Sequence, residues 1–171
     1  LGCGDSGIND GGAGMAEALG IRLLDSEGDL LPRGGAALAD LAAIDLSGRD
    51  QRLDTVRIDA AVNWHNVLLG ERGVARVFGP QKGATPEQVE VLAAAMETYA
   101  ASIRHTTGIE VGMAPGSGAS GGLGAAVLGL LGGKLHPRYD IVMQYLELDR
   151  FIAEADLVIT AEGAIDFQRS E

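Results

Sequence analysis

Between Gly4 and Gly14, eleven residues hold five glycines, the carboxylates of Asp5 and Asp10, the amide of Asn9 and the hydroxyl of Ser6. They run straight into the helix-like Met15-Ala16-Glu17-Ala18-Leu19. A structural turn needs one or two glycines; five interleaved with acids give a loop whose backbone can approach a ligand closely. The N–H groups that open the following helix form an anion site. Asp5 and Asp10 can hold a hard cation or accept a proton, as phosphoryl transfer requires.

The rest of the chain sets limits on that chemistry. With 24 acidic residues against 13 lysines and arginines the net charge is −11, which repels nucleic acid and anionic membrane. An anionic substrate must therefore be held by backbone dipoles, a metal ion or a few isolated cations. Hydrophobic residues make up 46% of the chain and aromatics only 4%, so the core is expected to be Ala, Leu, Val and Ile. A single cysteine, Cys3, excludes an internal disulfide and fits a reducing cytoplasm. No apolar run approaches the ~20 residues of a spanning helix. At 171 residues, opening on Leu1-Gly2 without Met and ending in a motif-like tail, the chain reads as a piece of a longer protein.

Periodicity and punctuation predict alternating helices and strands, hence an α/β fold. A helix is expected from Gly12 to Leu19 with Gly20 beyond its end, a strand at Ile21–Leu24, a turn at 25–29 and an Ala/Leu-rich helix at Gly34–Ala43. Asp54–Val62 reads as a central strand, with the polar Asn63-Trp64-His65-Asn66 at its carboxyl end, where α/β proteins place ligands. Thr85-Pro86-Glu87-Gln88 is a capping box with proline at the first helical position, and Val89, Leu92, Met96, Tyr99 and Ile103 follow at helical spacing as core. A second glycine-rich loop, Gly116–Gly124, feeds the apolar Ala125–Leu131. Tyr139–Glu154 reads as helix broken near Asp149, and Asp156–Thr160 as a last strand.

Among the motifs, Gly116-Ser117-Gly118-Ala119-Ser120-Gly121 matches G-x-G-x-x-G, but no acid-ended strand follows at dinucleotide spacing. A phosphate- or substrate-facing loop, a dinucleotide site and plain helix packing all remain open for it. A P-loop is excluded because Leu135 follows Gly132-Gly133-Lys134. His65, His105 and His136 have no metal-binding spacing, Cys3 has no activating partner, and no serine sits in a G-x-S-x-G elbow. Lys82, between glycines in Gly79-Pro80-Gln81-Lys82-Gly83, either neutralises a bound anion or is a solvated turn residue. Glu162 and Asp166 are either metal-facing or solvated.

Four ordered segments carry a resemblance. Gly4–Gly14, Val77-Phe78-Gly79-Pro80-Gln81-Lys82-Gly83-Ala84, Pro115–Gly124 and Ala155–Gln168 are similar to motifs of the glycerate kinase family of the bacterial D-glycerate type. That resemblance implies ATP-dependent, Mg²⁺-assisted phosphorylation of a D-glycerate hydroxyl by two α/β domains. One is Rossmann-like and assembled from both ends of a longer chain; the other is inserted within it. Residues 1–155 would be the inserted domain and 156–171 a strand and loop returning to the first. Asn66 is retained from the family pattern, whereas Asn63 and Val67 replace an acid and a proline. Ala164 stands where the family has arginine, so that position offers no cation.

Within that frame Asp10 is the leading base or metal-positioning carboxylate. Ser6 and Asn9 orient hydroxyls, with Asn66 also facing substrate, and Lys82 adds positive charge. The backbone of Gly116, Ser117 and Gly118 receives a carboxylate or phosphate, and Asp5, Glu162 and Asp166 hold Mg²⁺. A non-catalytic small-anion-binding α/β domain and a dinucleotide oxidoreductase are the competing classes. The oxidoreductase requires a strand before Pro115.

Overall fold

The computed structural model describes residues 1–4 and 6–159. Its elements are α1 (Ala13–Ala18), β1 (Arg22–Leu24), β2 (Ala43–Asp45), β3 (Asp59–Val62), α2 (Val74–Phe78), α3 (Pro86–Thr107), α4 (Ala119–Gly129), β4 (Lys134–Pro137), α5 (Arg138–Leu146) and α6 (Leu148–Glu154), with 3₁₀ turns at Gly35–Asp40, Gln51–Asp54 and Pro80–Lys82. This is the mixed α/β class that the alternating pattern predicts.

Two small sheets frame the molecule. β1 and β2 are antiparallel, with Leu23 opposite Ile44. β3 and β4 are parallel, with Asp59 opposite Lys134 and Val62 opposite Pro137. The amino-terminal residues extend that parallel sheet. The Cys3 N–H donates to the Ala61 carbonyl at 2.9 Å, the Ala61 N–H donates to the Leu1 carbonyl at 2.8 Å, and Gly2 bridges Ala61 in parallel. β3 is therefore central, as expected, but it spans only Asp59–Val62. The preceding residues form the Gln51–Asp54 turn, capped by the Asp50 carboxylate, which accepts the Arg52 N–H.

The helices fill the space between. α3 starts at the capping box: Thr85 Oγ1 accepts the Gln88 N–H and Gln88 Oε1 accepts the Thr85 N–H. Val89, Met96, Tyr99 and Ile103 are buried as predicted, while Leu92 is half-buried. α4 is apolar on every side, and Ala125, Ala126 and Val127 are fully buried at its centre; a helix without a polar face has to be enclosed.

Two expectations are revised and a third is met with its break moved by two residues. Gly34–Ala43 is not an α-helix. Two glycines open it, Leu41 is already extended and Ala43 joins β2, which leaves room for the short 3₁₀ turn alone. The Tyr139–Glu154 stretch is helix with a break, as expected, the break falling at Glu147 in the left-handed region (φ 49°). Asp156–Ile159 form no strand among the described residues. Leu157, Val158 and Ile159 are exposed there, and an apolar strand needs a pairing neighbour.

Candidate functional site

Three parallel segments end side by side: Leu1–Cys3, β3 and β4. Directly after them come Gly4, Asn63 and Arg138. These residues line a cleft of about 320 Å³ with Cys3, Ser6, Asn66, Phe78, Gln81, Lys82 and the backbone turn from Gly118 to Gly121. The carboxyl end of a parallel sheet, where loops diverge, is the usual place for a ligand in α/β folds. The polar lining consists of amides, hydroxyls and two cations. Among the described residues no Asp or Glu lines the cleft, whereas Lys82 and Arg138 do.

Most of the predicted residues lie within the described part of the chain. Lys82 lies at the cleft edge, where its ammonium donates to Ser6 Oγ at 3.0 Å and to the Ile8 carbonyl. It thereby ties the 3₁₀ turn to the first glycine-rich loop. Burial lowers the Lys82 pKa, and the Asp10 carboxylate opposes that shift. Ser6 and Asn66 line the cleft. The Asn66 carbonyl accepts the Gly118 N–H at 3.1 Å, which fixes the two loops against each other.

The second glycine-rich loop is built for packing. Gly118 passes so close to β3's following loop that a Cβ would stand 2.1 Å from the Val67 carbonyl oxygen. Gly116 is buried against Val62. Ser117, expected to face substrate, is fully buried, and its hydroxyl accepts the Leu68 N–H at 3.1 Å. The N–H groups of Ser117, Gly118 and Ala119 donate to Ala114, Asn66 and Gly116 carbonyls. In this arrangement they are committed inward and leave no cradle for an anion at these three positions. Residues 108–114 contain no strand, which removes the dinucleotide reading.

Asp10 and Asn9 turn away from the cleft. The Asp10 carboxylate accepts the Gly12 and Gly14 N–H groups at 3.0 and 3.2 Å, capping α1 at its positive end. It borders a separate depression with Arg33 and Glu17. Asn9 borders a third one, of about 480 Å³, with Lys82, Glu87 and Leu92. The Asn9 amide and the Tyr99 hydroxyl are buried without a protein partner among the described residues. Burial, reinforced by Asp10, raises the Tyr99 pKa. Asp5, Glu162 and Asp166 lie outside the described residues.

Sequence reasoning placed Asn63 at a ligand-binding strand end but missed Cys3, Gln81, Ser120 and Arg138 as cleft residues. The available signal for Cys3 and Arg138 was position: each stands at or just past the end of a parallel segment. Cys3 is half-buried; burial raises its pKa, opposed by the chain amino group and a hydrogen bond to Ser120. The described lining does not fit a hard divalent cation, which wants several carboxylate or carbonyl oxygens. Among the described residues no group of three His, Cys, Asp or Glu side chains converges on a metal position.

Fold and cleft together define an α/β structure with a polar pocket at the carboxyl ends of parallel strands. All 171 residues match the glycerate kinase family, and the chain belongs to that family. It is 45% identical over 168 residues to a glycerate kinase of Halalkalibacterium halodurans and 43% identical over 168 residues to a glycerate 2-kinase of Escherichia coli K12. Each alignment covers 98% of this chain and 44% of the relative. A crystal structure of a protein assigned as glycerate kinase 2 from Salmonella typhimurium LT2 superposes with a TM-score of 0.86 at 47% identity, covering 96% of this chain and 44% of that one. The chain thus spans less than half the length of these relatives.

Proposed function

We propose that this chain supplies one wall of the active site of an ATP-dependent D-glycerate kinase, working in the cytoplasm. The observation that carries the reading is the cleft itself. A family member with net charge −11 keeps acids out of the described lining and places two cations beside neutral hydrogen-bonding groups there. Such a pocket suits a small hydroxy acid: the cations balance the carboxylate, and Ser6, Asn63, Asn66 and Gln81 match the hydroxyls. In this reading residues 1–155 are the inserted domain, and 156–171 return to the domain that holds ATP.

This reading gives each residue a role. Lys82 contributes positive potential while it holds the Ser6–Ile8 loop in place. Asn66 and Ser6 orient substrate hydroxyls, and the Gly116–Gly118 turn acts as the rigid floor. Asp10 serves as a helix cap, so the proton acceptor and the Mg²⁺-holding carboxylates are assigned to Asp5, Glu162 and Asp166. Mg²⁺ would supply charge neutralisation on the transferred phosphoryl group.

The test is ADP release coupled to D-glycerate, measured on this chain and on a chain of the family's full length. Turnover by the longer chain with D-glycerate is expected. A folded longer chain that binds glycerate and releases no ADP makes the domain an anion-binding module and ends the kinase reading.

A further inference from the structure

The cleft's two cations are not equivalent. Two of the Lys82 ammonium's three N–H donors are engaged by Ser6 and the Ile8 carbonyl. Arg138 has no such engagement among the described residues. It follows Pro137 at the carboxyl end of β4, and the Val62–Pro137 register sets it beside Asn63 across the neighbouring strand ends. Seven other arginines (22, 49, 52, 57, 76, 104 and 150) are each bonded to an Asp or Glu. Arg138 borders the cleft and has no carboxylate partner among the described residues. In a chain so rich in acid, that leaves an unpaired guanidinium facing a pocket sized for a small molecule.

We propose that Arg138 is the specificity-determining residue that receives the substrate's carboxylate. The inference rests on the glycerate kinase reading and adds to it the identity of the anion receptor. A guanidinium presents two parallel N–H donors that match the two oxygens of a carboxylate, a fork that an ammonium cannot reproduce. Ser6, Asn63 and Asn66 line the same cleft and are neutral partners for the hydroxyls. Of the Gly116–Gly118 backbone that the sequence offers as a competing anion receptor, the Ser117 and Gly118 N–H groups are already engaged within the protein.

The experiment compares wild type with Arg138→Met and Arg138→Lys in the full-length kinase, using D-glycerate and its neutral amide, glyceramide. Losing a charge-assisted pair is expected to raise KM for D-glycerate at least about tenfold in Arg138→Met. Arg138→Lys should fall in between, since it keeps charge and loses the fork. KM for ATP should stay within about twofold and preference for glycerate over glyceramide should collapse, because only the acid meets the fork. A rise in KM for ATP with glycerate KM unchanged would assign Arg138 to the nucleotide and overturn the proposal, as would unchanged kinetics throughout. Thermal melts check that both variants fold, and Arg138→Lys, the milder change, decides alone if Arg138→Met does not. Should the wild-type full-length protein fail to phosphorylate glycerate, the kinase reading falls by itself. Calorimetric binding of D-glycerate to wild type and Arg138→Lys then judges Arg138 separately, and equal affinity overturns it.

Discussion

Asp10 carries a structural task that its chain neighbours do not announce. Flanked by Asn9 and four nearby glycines, it reads as an active-site acid. In three dimensions both carboxylate oxygens are occupied by backbone N–H groups at the head of α1. Removing such a cap costs about 1 kcal/mol. Asp10→Ala is therefore expected to lower the urea midpoint, whereas Asp10→Asn, which keeps one acceptor, should lower it less. In the full-length kinase Asp10→Asn should retain kcat to within about tenfold, about 1.4 kcal/mol in barrier. A deeper loss in a well-folded variant would restore Asp10 to the chemistry. Lys82 and Ser6 were legible as candidates because each sits among glycines, and Asn66 because it follows the end of a strand. The sequence did not show Arg138 or Gln81. Their place in the cleft is set by strand order and by the fold of loops far apart in the chain, which local pattern does not encode.

Elements were legible where a local physical signal was strong and illegible where a partner decided the outcome. Thr85-Pro86-Glu87-Gln88 fixes the start of α3 without help from the rest of the fold. β4 carries no strand alternation and exists because β3 lies beside it; Gly35–Asp40 fails to become an α-helix because the chain is drawn into β2. The opening of α4 also depends on its neighbours. Ser120, Gly121 and Gly122 are all left-handed, and a Cβ on Gly121 would lie 2.1 Å from the Ile8 carbonyl oxygen. Gly121→Ala should destabilise by about 2 kcal/mol or more, combining backbone strain with displacement of the first loop. Gly132→Ala is the control: its φ is also positive (70°), yet nothing lies within 4 Å of the added carbon. It should cost only the strain, about 1 kcal/mol. Equal urea midpoints for the two variants would refute the close-approach argument. At the other end of the sheet, Asp59 Oδ1 meets His136 Nε2 at 2.8 Å, and Arg57 also bonds the carboxylate. His136 first, and Arg57 after it, hold the Asp59 pKa below its ordinary value. A lowered native pKa stabilises the fold above the unfolded value near 4 and loses that contribution as pH falls through the native pKa. Thermal melts should show Asp59→Asn less stable than wild type at pH 7, the gap closing as the pH drops below about 4. A gap independent of pH would assign the effect to packing.

At the scale of the whole molecule, apolar surface is distributed unevenly. α4 is wrapped on all sides, whereas α5 and α6 contain no fully buried residue. Val142, Tyr145, Leu146, Phe151 and Ile152 are exposed on them, followed by Leu157, Val158 and Ile159. Monomeric proteins rarely leave contiguous apolar patches beyond a few hundred Å² uncovered. Relatives extend well past the part that this chain matches, and a surface of this kind is what a further domain would cover. The hydrophobic effect then predicts different behaviour for the two lengths. The 171-residue chain should self-associate with rising concentration in sedimentation velocity and bind a hydrophobic dye. Leu146→Lys with Phe151→Lys should suppress both while changing stability little, because exposed positions contribute within about 0.5 kcal/mol each. In the full-length chain the same double change should instead weaken the fold or separate its domains, since it would place two charges in a closed interface. A short chain that stays monomeric and dark to the dye at all concentrations, paired with a full-length chain indifferent to the substitutions, would show that the α5–α6 face is ordinary solvent-exposed surface.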